Sequence, residues 1–180
     1  MPRITLVDPK DRPDLTELVA KISGARGGRL INIYRTLLNS PALTDAWLNF
    51  LSTLRSKTQM DKQTQEIAIL RVGYVNRAEY IVRQHATGYA LQAGLTKEQV
   101  AAIADWEKST LFSERERALL AYVDAMTIDL DVSDDVFAAV RAHYSEQQIV
   151  EITAMVGAYN MHSRVCKALR IELEPAPTQS

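Results

Sequence analysis

An all-α fold is predicted by three features of the sequence. Only seven glycines and six prolines punctuate its 180 residues, no run of β-branched residues alternates with polar ones over strand length, and capping patterns recur ahead of apolar segments of helical length. A chain of this size can bury one ordinary core, so a single domain is expected over residues 1–174. The remainder of the end segment EPAPTQS, residues 175–180, is polar and proline-containing and is read as a disordered tail.

The first helix is expected within DRPDLTELVAKI, where Pro13 stands near the start and Leu15, Leu18, Val19 and Ile22 recur at helical spacing. SGARGGR, residues 23–29, ends it. That loop has neither a preceding strand nor a lysine followed by serine or threonine, so it reads as a connector rather than a phosphate cradle. RLINIYRTLLN continues as helix or tight turn. Ser40 and Pro41 then offer an N-cap and first position for PALTDAWLNFLSTLRSK, in which Trp47, Phe50, Leu51 and Leu54 are placed on one face.

DKQTQEIAILRVGYVN is apolar nearly all round from Ile67 to Val75, the pattern of a buried central helix. Asn76 and Glu79 have the spacing of a capping box, which predicts a helix from Arg77 to about Ala93, closed by Gly94. Thr96 with Gln99, Ser113 with Glu116 and Ser145 with Gln148 repeat the pattern and start helices near Lys97, Glu114 and Glu146. Ser133 caps DDVFAAVRAHY. The long, largely apolar EQQIVEITAMVGAYNMHSRVCKAL is expected to pack beside the 62–75 helix. Glu66 with Tyr74 and Glu151 with Tyr159 share one spacing, an internal echo that chance helical patterning explains as well as duplication.

With 21 basic and 22 acidic residues the net charge is −1, and no like-charge run stands out. This leaves no electrostatic footprint for nucleic acid or an anionic membrane. The opening MPRITLVDPKDRPDL lacks a basic segment followed by an apolar one, and no apolar run reaches membrane-spanning length, so a cytoplasmic protein is expected. The single cysteine, Cys166, cannot form an internal disulfide and reads as a small buried hydrophobe.

Residues 66–85 hold the groups able to do chemistry. Glu66, at the front of the buried helix, either stays solvated at the helix start or is drawn into a pocket. His85 shares a face with Ala78 and Ile81 and is either a hydrogen-bonded core residue or a general acid or base. Glu79 is expected to serve the Asn76 cap and an ion pair with Arg83. Tyr80 fills the core or lines a pocket. His143 is expected to be exposed, and His162 has no partner at metal-ligand spacing. Neither HExxH, CxxC nor a GxSxG context occurs, so no metal and no serine nucleophile are expected. Charge pairs such as Glu114 with Arg117 read as solvated faces.

QEIAILRVGYVNRAEYIVRQHATGYALQAGLTKEQVAAI resembles the signature segment of the carboxymuconolactone decarboxylase and alkylhydroperoxidase D superfamily. The flanking RGGRLINIYRTLLNSPAL, ERERALLAYVDAMT and SEQQIVEITAMVGAYNMHSRV resemble its single-domain decarboxylase-like members, so the likeness runs over residues 26–174. It implies a compact multi-helix bundle. In the peroxidase branch the motif is a glutamate, a Cys-x-x-Cys and a histidine one turn later. By the resemblance these positions are Glu66, Ala78 with Ile81, and His85. With no thiol at either cysteine position, dithiol peroxide reduction by that route cannot proceed.

The resemblance therefore implies a cofactor-independent decarboxylase or related lyase of aromatic-compound breakdown, acting on a small carboxylated lactone or keto acid. Glu66 and His85 would be its acid–base pair, with Tyr80, Arg71 and Arg83 as candidate substrate-binding residues. A non-catalytic protein that keeps the fold is the alternative. The resemblance also implies a homo-oligomer, a trimer or hexamer. Two nearly all-apolar helices and separate Trp47, Phe50 and Trp106 would be easier to bury against a partner.

Overall fold

The computed structural model describes residues 2–174, and the expected tail at 175–180 lies outside them. The described residues are helical and contain no strand. They cluster into two compact units, one comprising residues up to Ser56 and from Cys166 onward, the other Lys57–Val165.

In the first unit, a turn at Pro13–Leu15 leads into α1 (Thr16–Ala25), followed by α2 (Asn32–Leu37) and α3 (Pro41–Ser56). α1 overruns its predicted end by a full turn's worth of small residues, and the chain then breaks at Gly27 and Gly28, whose φ values of 64° and 81° suit glycine. Main-chain and side-chain bonds tie the ends of this unit together. Val7 N–H donates to Arg35 O at 3.0 Å and Asn32 N–H to Glu174 Oε1 at 2.7 Å. Trp47, Leu51 and Leu54 are buried, but Phe50 is 44% exposed, which corrects its expected place on that face. Cys166 is buried, and burial pushes its thiol up to about 12, which makes it inert.

The second unit is built around α4 (Lys62–Val75), whose residues from Thr64 to Leu70, with Val72 and Gly73, are all buried. Around it lie α5 (Glu79–Gln84), a π-helical turn (His85–Tyr89), α6 (Ala90–Gln92), α7 (Lys97–Ala102) and α8 (Glu114–Asp124). A second π-helical turn (Ala125–Asp129), α9 (Asp134–Arg141) and α10 (Glu146–Leu169) follow, with α10 counted here as far as Val165. The boxes at Thr96 with Gln99 and Ser113 with Glu116 form as expected. Ser145 and Gln148 exchange the same two bonds, and Ser133 caps α9. His143 is exposed. Arg117 does not form a solvated pair. Its guanidinium lies over the Trp106 ring at 4.9 Å and donates to Trp106 O and Ser109 O.

Candidate active site

α4 starts from a firm cap. Asp61 accepts from Thr64 N–H at 2.7 Å and is paired with Arg115 at 2.7 Å. Burial pushes the Asp61 carboxyl up. The Thr64 amide, the Arg115 guanidinium and the Thr64 hydroxyl together outweigh that and hold it below the ordinary carboxylate range. One turn on, Glu66 is 1% exposed, so it is not a solvated residue of the helix start.

The expected Asn76 capping box does not form. Asn76 instead ends α4, and its amide donates to Val72 O at 3.0 Å and to Asn160 Oδ1 at 2.9 Å. A cap needs extended backbone, whereas Asn76 has φ −77° and ψ −3°. Arg77 takes the left-handed conformation at φ 51°, and α5 begins at Glu79 rather than at Arg77. This tight corner folds α5 back on α4. Gly73 makes the close approach possible, since a Cβ there would stand 3.0 Å from Val82 Cγ2 and 3.4 Å from Ile81 Cγ2. Ala78 and Ile81, the two positions the resemblance assigns to thiols, are both buried.

The predicted 77–93 helix is interrupted where it matters. His85 opens a π-helical turn with Ala90 N–H donating back to His85 O, and Gly94 at φ 96° closes the segment after α6. Such widened turns are frequent at functional sites. His85 Nδ1 lies 2.6 Å from Glu66 Oε2, with side-chain exposures of 8% and 2%. With Glu66 ionised, the imidazole donates Nδ1–H and the carboxylate accepts, which fixes the tautomer.

Aromatic rings surround the imidazole. Tyr89, on the same π-helical turn, lies 5.3 Å away between ring centres. Tyr159, from α10, lies 5.5 Å away and nearly perpendicular. Neither was singled out as a site residue. The one sequence signal touching Tyr159 is the echo of Glu66 with Tyr74, but its other member, Glu151, only receives Gln59 N–H and the Gln147 amide. Asn160 ties this stretch of α10 to the rest of the unit, accepting from Asn76 and donating to Thr127 Oγ1 at 2.9 Å.

The other candidates go elsewhere. Arg71 grips Asp124 with two bonds of 2.5 and 2.8 Å and donates to the carbonyls of Ile103 and Ala104. Asp124 also accepts from Trp106 Nε1 at 2.8 Å. Arg83 is ion-paired with Glu79 at 2.7 Å as expected, both largely exposed. Tyr80 is buried on α5. A cleft of about 470 Å³ opens along Arg71, Tyr74, Val75, Ala104 and Ile128. Among the described residues no cluster of three or more His, Cys, Asp or Glu side chains could hold a metal ion, and no helix is long and apolar enough to cross a membrane.

Residues 41–125 match the carboxymuconolactone decarboxylase family. The uncharacterised YnjA of Escherichia coli is 28% identical over 118 residues, or 65% of this chain, which thus spans 64% of that relative's length. Among solved structures, a protein of unknown function from Agrobacterium tumefaciens, described as an AhpD-type antioxidant defence protein, is 28% identical. It covers 78% of this chain and 96% of its own, with a TM-score of 0.72. The debrominase Bmp8, also solved with 2,3,4-tribromopyrrole, shares the fold at 20% identity and a TM-score of 0.80 over 97% of this chain and 93% of its own. The helix order of this chain, its likeness to AhpD-type structures and the match that begins at α3 and runs through α8 together support the carboxymuconolactone decarboxylase and alkylhydroperoxidase D-like superfamily.

Proposed function

We propose that this protein is a cofactor-independent decarboxylase, or a related lyase, acting on a small carboxylated lactone or keto acid with Glu66 and His85 as its acid–base pair. The observation that carries the reading is the 2.6 Å bond between two buried side chains. Loss of CO2 breaks a carbon–carbon bond and leaves its electron pair on the substrate as an enolate. The imidazolium of His85 then gives its Nε2 proton to the enolate carbon. The neutral imidazole that remains still donates Nδ1–H to Glu66, whose charge favours the protonated form before the transfer and holds the ring afterwards. A proton from solvent restores the starting state.

Of the residues considered for the substrate carboxylate, Arg71 is committed to Asp124 and Arg83 to Glu79, so neither is given that role. Tyr80 is kept as a pocket wall. The protein is proposed to work in the cytoplasm as a homo-oligomer, a trimer or hexamer. The near-complete burial of both side chains favours a second reading, in which the pair is a structural remnant of a non-catalytic oligomeric protein. CO2 release from γ-carboxymuconolactone and a panel of carboxylated lactones and β-keto acids separates the two. Turnover that collapses in folded Glu66→Gln and His85→Ala supports the enzyme, and turnover indifferent to both changes overturns this mechanism.

A further inference from the structure

Along α10, Glu146, Val150, Ala154, Gly157, Met161 and Arg164 recur at steps of three or four residues. At the helical turn per residue the six fall within about 80° of one another around the axis, so they share one face about 27 Å long. That face is open. Val150 is 68% exposed and Met161 38%, and Glu146, Gly157 and Arg164 are exposed with them. Gly157 stands in the middle of the helix, where glycine is a poor choice beside alanine, and a Cβ there would meet no neighbouring element within 4 Å. The fold of the single chain therefore makes no use of its small size. A second backbone approaching this face would.

We infer that this face of α10 is the contact with a second copy of this chain, the two helices packed antiparallel about a two-fold axis at the level of Met155 and Val156. A two-fold contact requires a patch that is complementary to itself. Reversed about that level, this one is. Val150 faces Met161 of the partner subunit, and Ala154 faces Gly157 of the partner subunit, so the bulky apolar residues meet on either side of a centre where two small ones let the backbones approach. Arg164 comes within reach of Glu146 of the partner subunit, so opposite charges close both ends. A parallel pairing would set Glu146 on Glu146 and Arg164 on Arg164, which selects the antiparallel arrangement. Within one chain, Glu146 is paired with Arg141 at 3.2 Å and Arg164 donates to Asn160 Oδ1 at 3.3 Å. Both groups stay exposed and keep capacity for a further bond. The inference rests on the homo-oligomer proposed above and supplies its contact; the chemistry of Glu66 and His85 does not enter. A two-fold contact makes a dimer or joins two trimers into a hexamer, whereas a lone trimer contains no such axis.

The test is the mass of the full chain in solution, measured by sedimentation across micromolar concentrations with circular dichroism as the check on folding. The wild type is expected as a dimer or hexamer. Gly157→Gln, which pushes the backbones apart, should halve that mass. Arg164→Glu sets acid against acid at both ends and should weaken the contact roughly tenfold or more, and Glu146→Arg combined with Arg164→Glu should restore it, because the charges are then exchanged rather than lost. The charge series decides even if Gly157→Gln does not fold: weakening by the single change with recovery in the double supports the contact, and any other pattern overturns it. A trimeric wild type overturns the contact and leaves the homo-oligomer standing. A monomeric wild type overturns both, and neither result bears on the decarboxylation panel.

Discussion

Two cation–carboxylate pairs hang from α4 five residues apart, and they differ in what they can do. Arg71 with Asp124 spends its hydrogen-bonding capacity on structure: two bonds between the charges, two more to carbonyls, and a tryptophan N–H completing the carboxylate. A guanidinium stays protonated at any working pH, so this pair can lock α4 to α8 but cannot exchange a proton. His85 with Glu66 pairs the same carboxylate chemistry with an imidazole, a side chain that can give up and take back a proton. Burial alone therefore does not distinguish the two pairs. The identity of the base does, together with the irregular backbone that carries His85.

The largest expected effect separates the pairs by activity. Glu66→Gln and His85→Ala should each lower kcat/KM for CO2 release by roughly 10²–10⁴ while the chain stays folded by circular dichroism. Asp124→Ala should do the reverse, costing about 2–4 kcal/mol in urea unfolding because it leaves the Arg71 charge without its carboxylate. Its turnover per folded molecule should stay within a few-fold. If Asp124→Ala instead removes activity at full stability, the contrast fails.

Gly73→Ala tests the geometry that brings the halves of the candidate site together. Its Cβ would press on Val82, so a loss of about 1–3 kcal/mol is expected, with a displaced His85 Nδ1–H resonance. Ser113→Ala, which removes the cap of the helix bearing Asp124, should cost about 1 kcal/mol and leave that resonance unmoved.

The smallest effect concerns Cys166, outside both pairs. Its folded-state thiol is raised to about 12, above its unfolded value. The folded state therefore binds the extra proton, and the associated stability is complete below about pH 8.5 and lost as pH rises toward the folded value. Alkylation by iodoacetamide at pH 8 should proceed only after denaturation. Rapid labelling of the native chain would break this.

Much of the fold was legible because it is local. A capping side chain reaches its own helix's third residue, so Thr96, Ser113, Ser133 and Ser145 announced their helices without any knowledge of packing. The same local logic misread Asn76, because an amide 84 residues away in sequence competes for its side chain. Phe50 was misplaced since helical spacing gives a face and not which part of it another element covers.

The sequence by itself determined an all-α chain, a buried α4, and the separation of Glu66 on α4 from His85 further along the chain. Only tertiary structure decided that their side chains meet, that a π-helical turn widens the backbone at His85, that Arg71 is consumed by Asp124, and that Tyr159 closes on the imidazole. The reason is physical: propensity and capping act over one or two turns, whereas each of these four outcomes depends on a packed neighbour or on helices brought together by the corner at Asn76 and Arg77.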